Sequence, residues 1–122
     1  MGENTGTAYS EGYELLERGA DVPRSADFAL VLGDDCMEPF FKKGERVYIE
    51  ARAELDEFEA GLFLLEGRVI CRQWCQDHTG AVHLLCANPA RERENISLRP
   101  GEKLTFLGRV LTKKKLSRPT YR

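Results

Sequence analysis

Cys36 lies in the segment Asp-Cys-Met-Glu-Pro, and its thiol could act as a nucleophile once it loses its proton. The other residues with comparable chemistry are concentrated downstream. Five of them fall within sixteen positions: Cys71, Cys75, His78, His83 and Cys86. The chemistry to consider is therefore thiol nucleophilic attack, thiol oxidation or metal binding.

Cysteine and histidine are zinc ligands, so the downstream cluster raises the question of a metal site. Cys71 and Cys75 would share one face of a strand, because they are an even number of residues apart. Their C-x3-C spacing differs from the C-x2-C of a zinc knuckle, and no second matching pair follows. We therefore expect small buried thiols, no favoured metal site and no cofactor.

Five short blocks place Cys36 and Cys71 in a wider pattern. The first is Leu-Gly-Asp-Asp-Cys-Met-Glu-Pro, and the third is Arg-Val-Ile-Cys-Arg. In chain order the blocks span residues 32–39, 43–47, 68–72, 88–89 and 107–110. Together they resemble the self-cleaving C-terminal domain of SOS and phage repressors, the LexA-like family, which shares its fold with bacterial signal peptidase. The resemblance implies a mostly β fold, an antiparallel distorted barrel or β-ribbon domain.

The resemblance places Cys36 at the nucleophile position, where the family has serine, and Cys71 at the general-base position, where it has lysine. In a Ser-Lys enzyme a neutral lysine amine takes the proton of the serine hydroxyl. A second thiol provides neither a base of suitable pKa nor a cation, so we expect no peptidase activity. His78 or His83 could replace the base, but both lie in or beside the turn after the Cys71 strand.

The resemblance gives the other motif residues structural roles. They are Asp35, Met37, Glu38, Pro39, Gly44, Arg72, Asn88, Pro89 and Gly108. Asn88-Pro89 should form a turn, since proline fixes its own φ and restricts the preceding residue. We expect Arg72 to pair with a carboxylate such as that of Asp35.

Two more expectations concern Cys36 itself. Asp34 stands where the family has glycine, and its negative charge should raise the pKa of the Cys36 thiol. If the family geometry holds, Cys36 and Cys71 lie close to disulfide-bridging distance, although a reducing cytosol would keep both as thiols.

Three segments are predicted: a leader at 1–24, a peptidase-fold domain at 25–112 and a basic tail at 113–122 that should be solvated. Short apolar runs between turn residues predict strands at 28–32, 46–50, 61–65, 68–74, 82–86 and 104–111. Hairpin turns are predicted at 65–68 and 77–80. In the leader, residues 13–18 could form one helical turn or an extended arm. Related repressors cut an Ala-Gly bond there, but residues 1–31 contain only the reversed pair Gly19-Ala20, a degenerate cleavage region.

Composition limits the functional classes. A chain of 122 residues with 42% hydrophobic and 31% charged residues is typical of one globular domain. Its net charge of -2 gives no general attraction to nucleic acid or to acidic membranes. No apolar run approaches the roughly 20 residues of a membrane helix, and no basic-then-apolar leader is visible. We therefore expect a cytoplasmic protein without membrane association.

The favoured function is a catalytically inactive repressor-type domain that dimerises and regulates transcription in a phage or SOS-type system. A homodimer is expected, with an attached or partner DNA-binding domain. No helix-turn-helix pattern occurs in the first 30 residues, so this chain alone should not bind DNA specifically. It would be either the C-terminal portion of a repressor or a stand-alone protein.

Two alternatives remain open. One is a self-processing peptidase that uses Cys36 with an unrecognised base. The other is a thiol redox or zinc switch through Cys36, Cys71, Cys75 and Cys86.

Overall fold

Eight β-strands and one 3₁₀ helix form the part of the chain that the computed structural model describes, residues 13–14, 22–51 and 54–121. The strands are β1 Tyr13–Glu14, β2 Phe28–Val31, β3 Arg46–Glu50, β4 Ala60–Leu65, β5 Arg68–Gln76, β6 Val82–Leu85, β7 Ile96–Leu98 and β8 Thr105–Val110. The 3₁₀ helix spans Pro89–Glu94, between β6 and β7. The fold is mostly β, as the sequence predicted.

All strand pairs are antiparallel and belong to one sheet, in the order β1-β2-β3-β8-β4-β5-β6-β7. Among the described residues the outer strands β1 and β7 each pair on one side only, so the sheet is open rather than a closed barrel. The last strand, β8, lies between β3 and β4, which brings the end of the domain into the middle of the sheet.

The β4–β5 hairpin follows the local sequence. Glu66 and Gly67 have φ values of 51° and 78°, and a two-residue turn with positive φ at both positions matches the twist of the joined strands. The predicted turns at 65–68 and 77–80 are both confirmed.

The core lies on both sides of the central strands. Consecutive residues on β4 point to opposite faces, so Leu62 joins one apolar cluster with Met37 and Ile49 while Phe63 joins another with Leu84. This explains why most of β4 and β5 is buried rather than alternating between buried and exposed residues.

Gly108 allows β8 and β3 to approach each other closely. A Cβ atom at this position would lie 2.6 Å from Ile49 Cγ2 and 2.8 Å from the Glu50 carbonyl oxygen. A side chain there would push the two strands apart, because real Cβ atoms do not approach other atoms so closely.

The C-terminal segment is not the solvated tail that was expected. Its lysines are exposed, but Leu116 is only 8% exposed and packs in the core. The buried Gln73 side chain donates to the Ser117 carbonyl at 2.9 Å, and the Tyr121 hydroxyl donates to the Cys86 carbonyl. The expectation considered only the charge run and overlooked the apolar and aromatic residues that follow it.

All six predicted strands occur, with ends that agree to within two residues. The prediction missed β7 and left β1 undecided between a helical turn and an extended arm, and Tyr13–Glu14 is extended. The Gly19-Ala20 pair lies outside the described residues. No helix in the described ranges is long and apolar enough to span a membrane.

Candidate functional site

Cys36 is carried by the loop between β2 and β3. The Asp34 carboxylate accepts a hydrogen bond from the Cys36 backbone N–H at 3.0 Å, which forms a local turn. Met37 and Phe41 anchor the loop in the core, with exposed fractions of 1% and 5%. The loop therefore presents Cys36 from a fixed backbone, and the thiol side chain is itself buried.

The 3₁₀ helix holds this loop from the other side. The Asn88 backbone N–H donates to the Cys36 carbonyl at 2.9 Å, and the Asn88 side-chain amide donates to the Asp35 carbonyl at 3.0 Å. Asn88 also caps the helix, since its side-chain oxygen accepts from the Ala90 N–H. The predicted Asn88-Pro89 turn is the start of this helix, and it positions the Cys36 loop.

Asp35 pairs with a residue that the sequence did not suggest. Arg91 Nε donates to Asp35 Oδ1 at 2.7 Å, and this contact lowers the pKa of the Asp35 carboxyl. The expected pairing of Asp35 with Arg72 is therefore wrong. Arg72 belongs to β5, and its side chain is buried, with 2% exposed. Its guanidinium donates a hydrogen bond to the Cys71 carbonyl at 2.8 Å.

The other motif residues near the loop have structural contacts. Met37 is a core residue, and Pro39 is exposed after a cis peptide bond. Glu38 accepts from the Lys43 N–H at 3.3 Å. Gly44 has φ of 86°, which favours glycine at the turn into β3, and its N–H donates to the Leu32 carbonyl.

Three of the four cysteines are buried, and the charge of Arg72 acts on all three. Cys36, Cys71 and Cys86 are 3%, 5% and 0% exposed, and the Arg72 charge lowers the pKa of each thiol. The sequence predicted a shared site for Cys36 and Cys71 and did not include Cys86 in it. No sequence signal included Cys86, because it lies outside the five motif blocks.

For Cys36 and Cys71, burial raises the thiol pKa more than the Arg72 charge lowers it. It raises the pKa of Cys36 to about 12, and it also raises that of Cys71 to about 12. The Asp34 charge adds to both increases, as the sequence suggested for Cys36. A thiol whose pKa lies this far above neutrality is almost entirely protonated at pH 7. Both groups are therefore neutral thiols and poor nucleophiles at physiological pH.

The neighbours that most affect Cys36 do not include a base of suitable pKa. They are Arg72, Cys86 and Asp34. His83 is engaged elsewhere, because its ring nitrogens lie 2.9 Å from Ser97 Oγ and 2.8 Å from Asp77 Oδ2. His78 lies in the exposed turn after β5. Neither histidine is available as the alternative base that the sequence allowed.

The residues considered for zinc do not converge. Cys75 and His83 are cross-strand neighbours on β5 and β6. Across residues 22–51 and 54–121, no group of three or more cysteine, histidine, aspartate or glutamate side chains is arranged to hold a metal ion. All four cysteines are free thiols in the structure.

The mostly β, antiparallel sheet agrees with the fold of the family suggested by the sequence blocks. The Peptidase S24-like family model matches residues 2–111. The chain belongs to this family. The S24-like assignment confirms the resemblance to LexA-type and phage repressor C-terminal domains at the level of family and fold. No curated protein gives a significant match to this S24-like chain.

Proposed function

We propose that this S24-like domain has lost peptide cleavage and acts as a regulatory, dimerising module in transcription, as part of a phage or SOS-type repressor system. The observation that carries the proposal is the chemistry at the dyad positions. Cys36 and Cys71 are buried thiols whose pKa values are raised to about 12, mainly by burial. Neither can accept a proton from the other at neutral pH.

The family supports the regulatory part of the proposal. Repressor-type S24 domains commonly dimerise and work with DNA-binding domains. We expect this chain to form a homodimer and to act with an attached or partner DNA-binding domain, without specific DNA binding of its own. Dimerisation would then raise operator affinity through the effective concentration of two DNA-binding domains. A cytoplasmic location follows from this role, because the operator DNA is there.

The loss of cleavage is tested by restoring the dyad. The full chain and a Cys36→Ser/Cys71→Lys variant are incubated at mildly alkaline pH, and intact masses are followed with time. A lysine at position 71 would be buried and close to Arg72, and both conditions lower an amine pKa toward the range of a general base. We expect the natural chain to stay whole, and cleavage of the double variant within the leader would show that the fold and the degenerate cleavage region remain competent.

A Cys36→Ala/Cys71→Lys variant is the matched control. It has the restored base but no nucleophile, so it should remain intact under the same conditions. If the natural chain is cut and Cys36→Ala is not, the proposal is wrong and Cys36 is an active nucleophile. Sedimentation equilibrium tests the second part, and a monomer at all accessible concentrations would contradict the dimer.

A further inference from the structure

His83 connects a serine and an aspartate at one end of the sheet. Its Nδ1 atom lies 2.9 Å from Ser97 Oγ, and its Nε2 atom lies 2.8 Å from Asp77 Oδ2. Ser97 stands opposite His83 on the neighbouring strand β7, and Asp77 directly follows β5. A hydroxyl, an imidazole and a carboxylate are thus joined in the order of a Ser-His-Asp triad, without any residue of the dyad positions.

The positions of the protons in this triad follow from its hydrogen bonds. The hydrogen bond from His83 is the largest of the contacts that lower the pKa of the Asp77 carboxyl, so Asp77 is an ionised acceptor. The Nε2 atom of His83 must then carry the proton and donate it to Asp77. In the neutral ring Nδ1 keeps its lone pair, and the Ser97 hydroxyl donates to it. Serine proteases use the two ring nitrogens in the opposite order, but the roles of donor and acceptor are the same.

The Asp77 carboxylate is itself held by the turn that follows β5. The Thr79 and Ala81 backbone N–H groups donate to Asp77 Oδ1 at 2.8 and 3.2 Å, and the Thr79 hydroxyl donates to the same oxygen. This leaves Oδ2 for His83. The imidazole therefore has a fixed orientation, although the His83 and Asp77 side chains are 28% and 36% exposed.

Ser97 is open to a reactant from solvent. Its residue is exposed, and β7 is the outer strand of the sheet among the described residues. The outer edge of such a strand presents backbone N–H groups without a strand partner. A carbonyl group that approaches Ser97 from this edge meets donors for the negative charge that develops on its oxygen.

Cys75 is the competing nucleophile beside His83, because it is the cross-strand neighbour of His83 on β5. Burial raises the pKa of the Cys75 thiol, and the nearby Glu57 charge raises it further. The thiol is therefore protonated at neutral pH and makes no hydrogen bond to either His83 nitrogen. Ser97 is the nucleophile that the geometry favours.

We propose that Ser97, His83 and Asp77 form a second reactive site that hydrolyses small acyl esters with a good leaving group. Small acyl groups fit best, since Ser97 is approached directly from solvent. Ser97 Oγ attacks the ester carbonyl carbon while its proton moves to His83 Nδ1. The bond between the carbonyl carbon and the leaving oxygen then breaks, and the leaving group takes the proton from Nδ1.

The acyl group is removed from Ser97 by the same steps. His83 Nδ1 takes a proton from water, the water oxygen attacks the acyl carbon, and the bond to Ser97 Oγ breaks. Ser97 regains its proton from Nδ1, and a carboxylic acid is released. Asp77 touches no reacting atom, so it is a positioning residue that orients the ring and stabilises the imidazolium. This site goes beyond the proposed function and is independent of it, because peptide cleavage at the dyad positions involves Cys36 and Cys71.

The test incubates the full chain with p-nitrophenyl acetate at neutral pH and follows the release of nitrophenol. Acid-quenched samples are digested, and the acetylated residues are located by mass spectrometry. We expect acetylation of Ser97 at least about tenfold faster than that of Ser117, an exposed serine that is not a partner of His83. Ser97→Ala should lose the fast release of nitrophenol. Equal rates at Ser97 and Ser117, or acetylation of Cys75 in place of Ser97, would overturn the proposal.

Two variants test the roles of His83 and Asp77. His83→Gln removes the base and should slow acetylation of Ser97 about 100-fold. Asp77→Asn should slow it about tenfold, because the amide would donate to Nε2 and leave the ring proton on Nδ1. Asp77→Glu keeps the carboxylate and should be slowed less than Asp77→Asn.

His78→Gln is the matched control, because it changes the other histidine, which lies exposed in the same turn. It should react like the natural chain. Circular dichroism shows whether each variant is folded, and all the changed side chains are at least partly exposed. A folded His83→Gln variant that reacts as fast as the natural chain would show that the three side chains only join β6, β7 and the turn.

Discussion

Removal of the Asn88 side chain should lower the stability of the Cys36 loop, because this side chain makes two of the hydrogen bonds that hold it. In Asn88→Ala two hydrogen bonds are lost, the one to the Asp35 carbonyl and the one that caps the 3₁₀ helix, both 3.0 Å long. A hydrogen bond contributes about 1 kcal/mol, and an N-cap asparagine contributes about 0.5–2 kcal/mol. The free energy of unfolding should therefore fall by about 2 kcal/mol.

Urea denaturation followed by Trp74 fluorescence measures this loss. With a denaturant slope of about 2 kcal/mol/M, the midpoint should fall by about 1 M. If the loop opens locally, 2 kcal/mol corresponds to about 30-fold more open molecules, and native alkylation of Cys36 should accelerate by up to about that factor. Arg93→Ala alters an exposed residue of the same helix and should change stability by less than about 0.5 kcal/mol. An unchanged midpoint together with unchanged Cys36 alkylation in Asn88→Ala would refute the reasoning.

Three other predictions concern stability. Gly108→Ala should destabilise the domain by about 2–3 kcal/mol, because the new Cβ would lie 2.6 Å from Ile49 Cγ2. Thermal unfolding measures this loss, and an unchanged thermal midpoint would contradict the close approach of β3 and β8. Leu116→Ala should lower the free energy of unfolding by about 2–3 kcal/mol, since this side chain is 8% exposed. Urea denaturation measures the change, and an unchanged midpoint would mean that the C-terminal segment does not pack on the domain. The hydrogen bond from His83 is the largest of the contacts that lower the pKa of the Asp77 carboxyl. The ionised Asp77 carboxylate should therefore stabilise the fold fully above about pH 4, and this stabilisation should be lost as the pH falls below that value. Asp77→Asn should flatten the acid side of the stability profile, and parallel profiles for the two proteins would exclude the contribution.

The strands could be predicted where local pattern and position in the sheet agree. Period-2 or continuous apolar runs with turn residues at their ends identified β2 to β6 and β8. β7 was missed because Ile96–Leu98 has only three residues and directly follows a charged helix, so no window of sequence shows a strand period. Tyr13–Glu14 has two residues, and only its pairing with Leu30 and Ala29 makes it a strand.

The candidate site was partly accessible from the sequence. The order of the motif blocks predicted one site for Cys36 and Cys71, and it identified Asn88-Pro89 as a turn, which is the start of the 3₁₀ helix. The predicted partner of Asp35 was wrong, because the sequence alone does not show which arginine, Arg72 or Arg91, lies near Asp35. Only the sheet shows that Arg72 is enclosed on β5 while Arg91 reaches Asp35 from the 3₁₀ helix.

The sequence by itself determined the family and the β character of the chain, because these depend on residue types, their spacing and their order. Tertiary structure alone decided that Arg91 rather than Arg72 pairs with Asp35, that the Arg72 charge acts on three buried thiols and that Leu116 packs in the core. These contacts join residues far apart in the chain, and the sheet order and core packing that create them are not visible in any local segment. The pKa of each thiol follows from the same packing, since burial and neighbouring charge, rather than the cysteine alone, set the balance between thiol and thiolate.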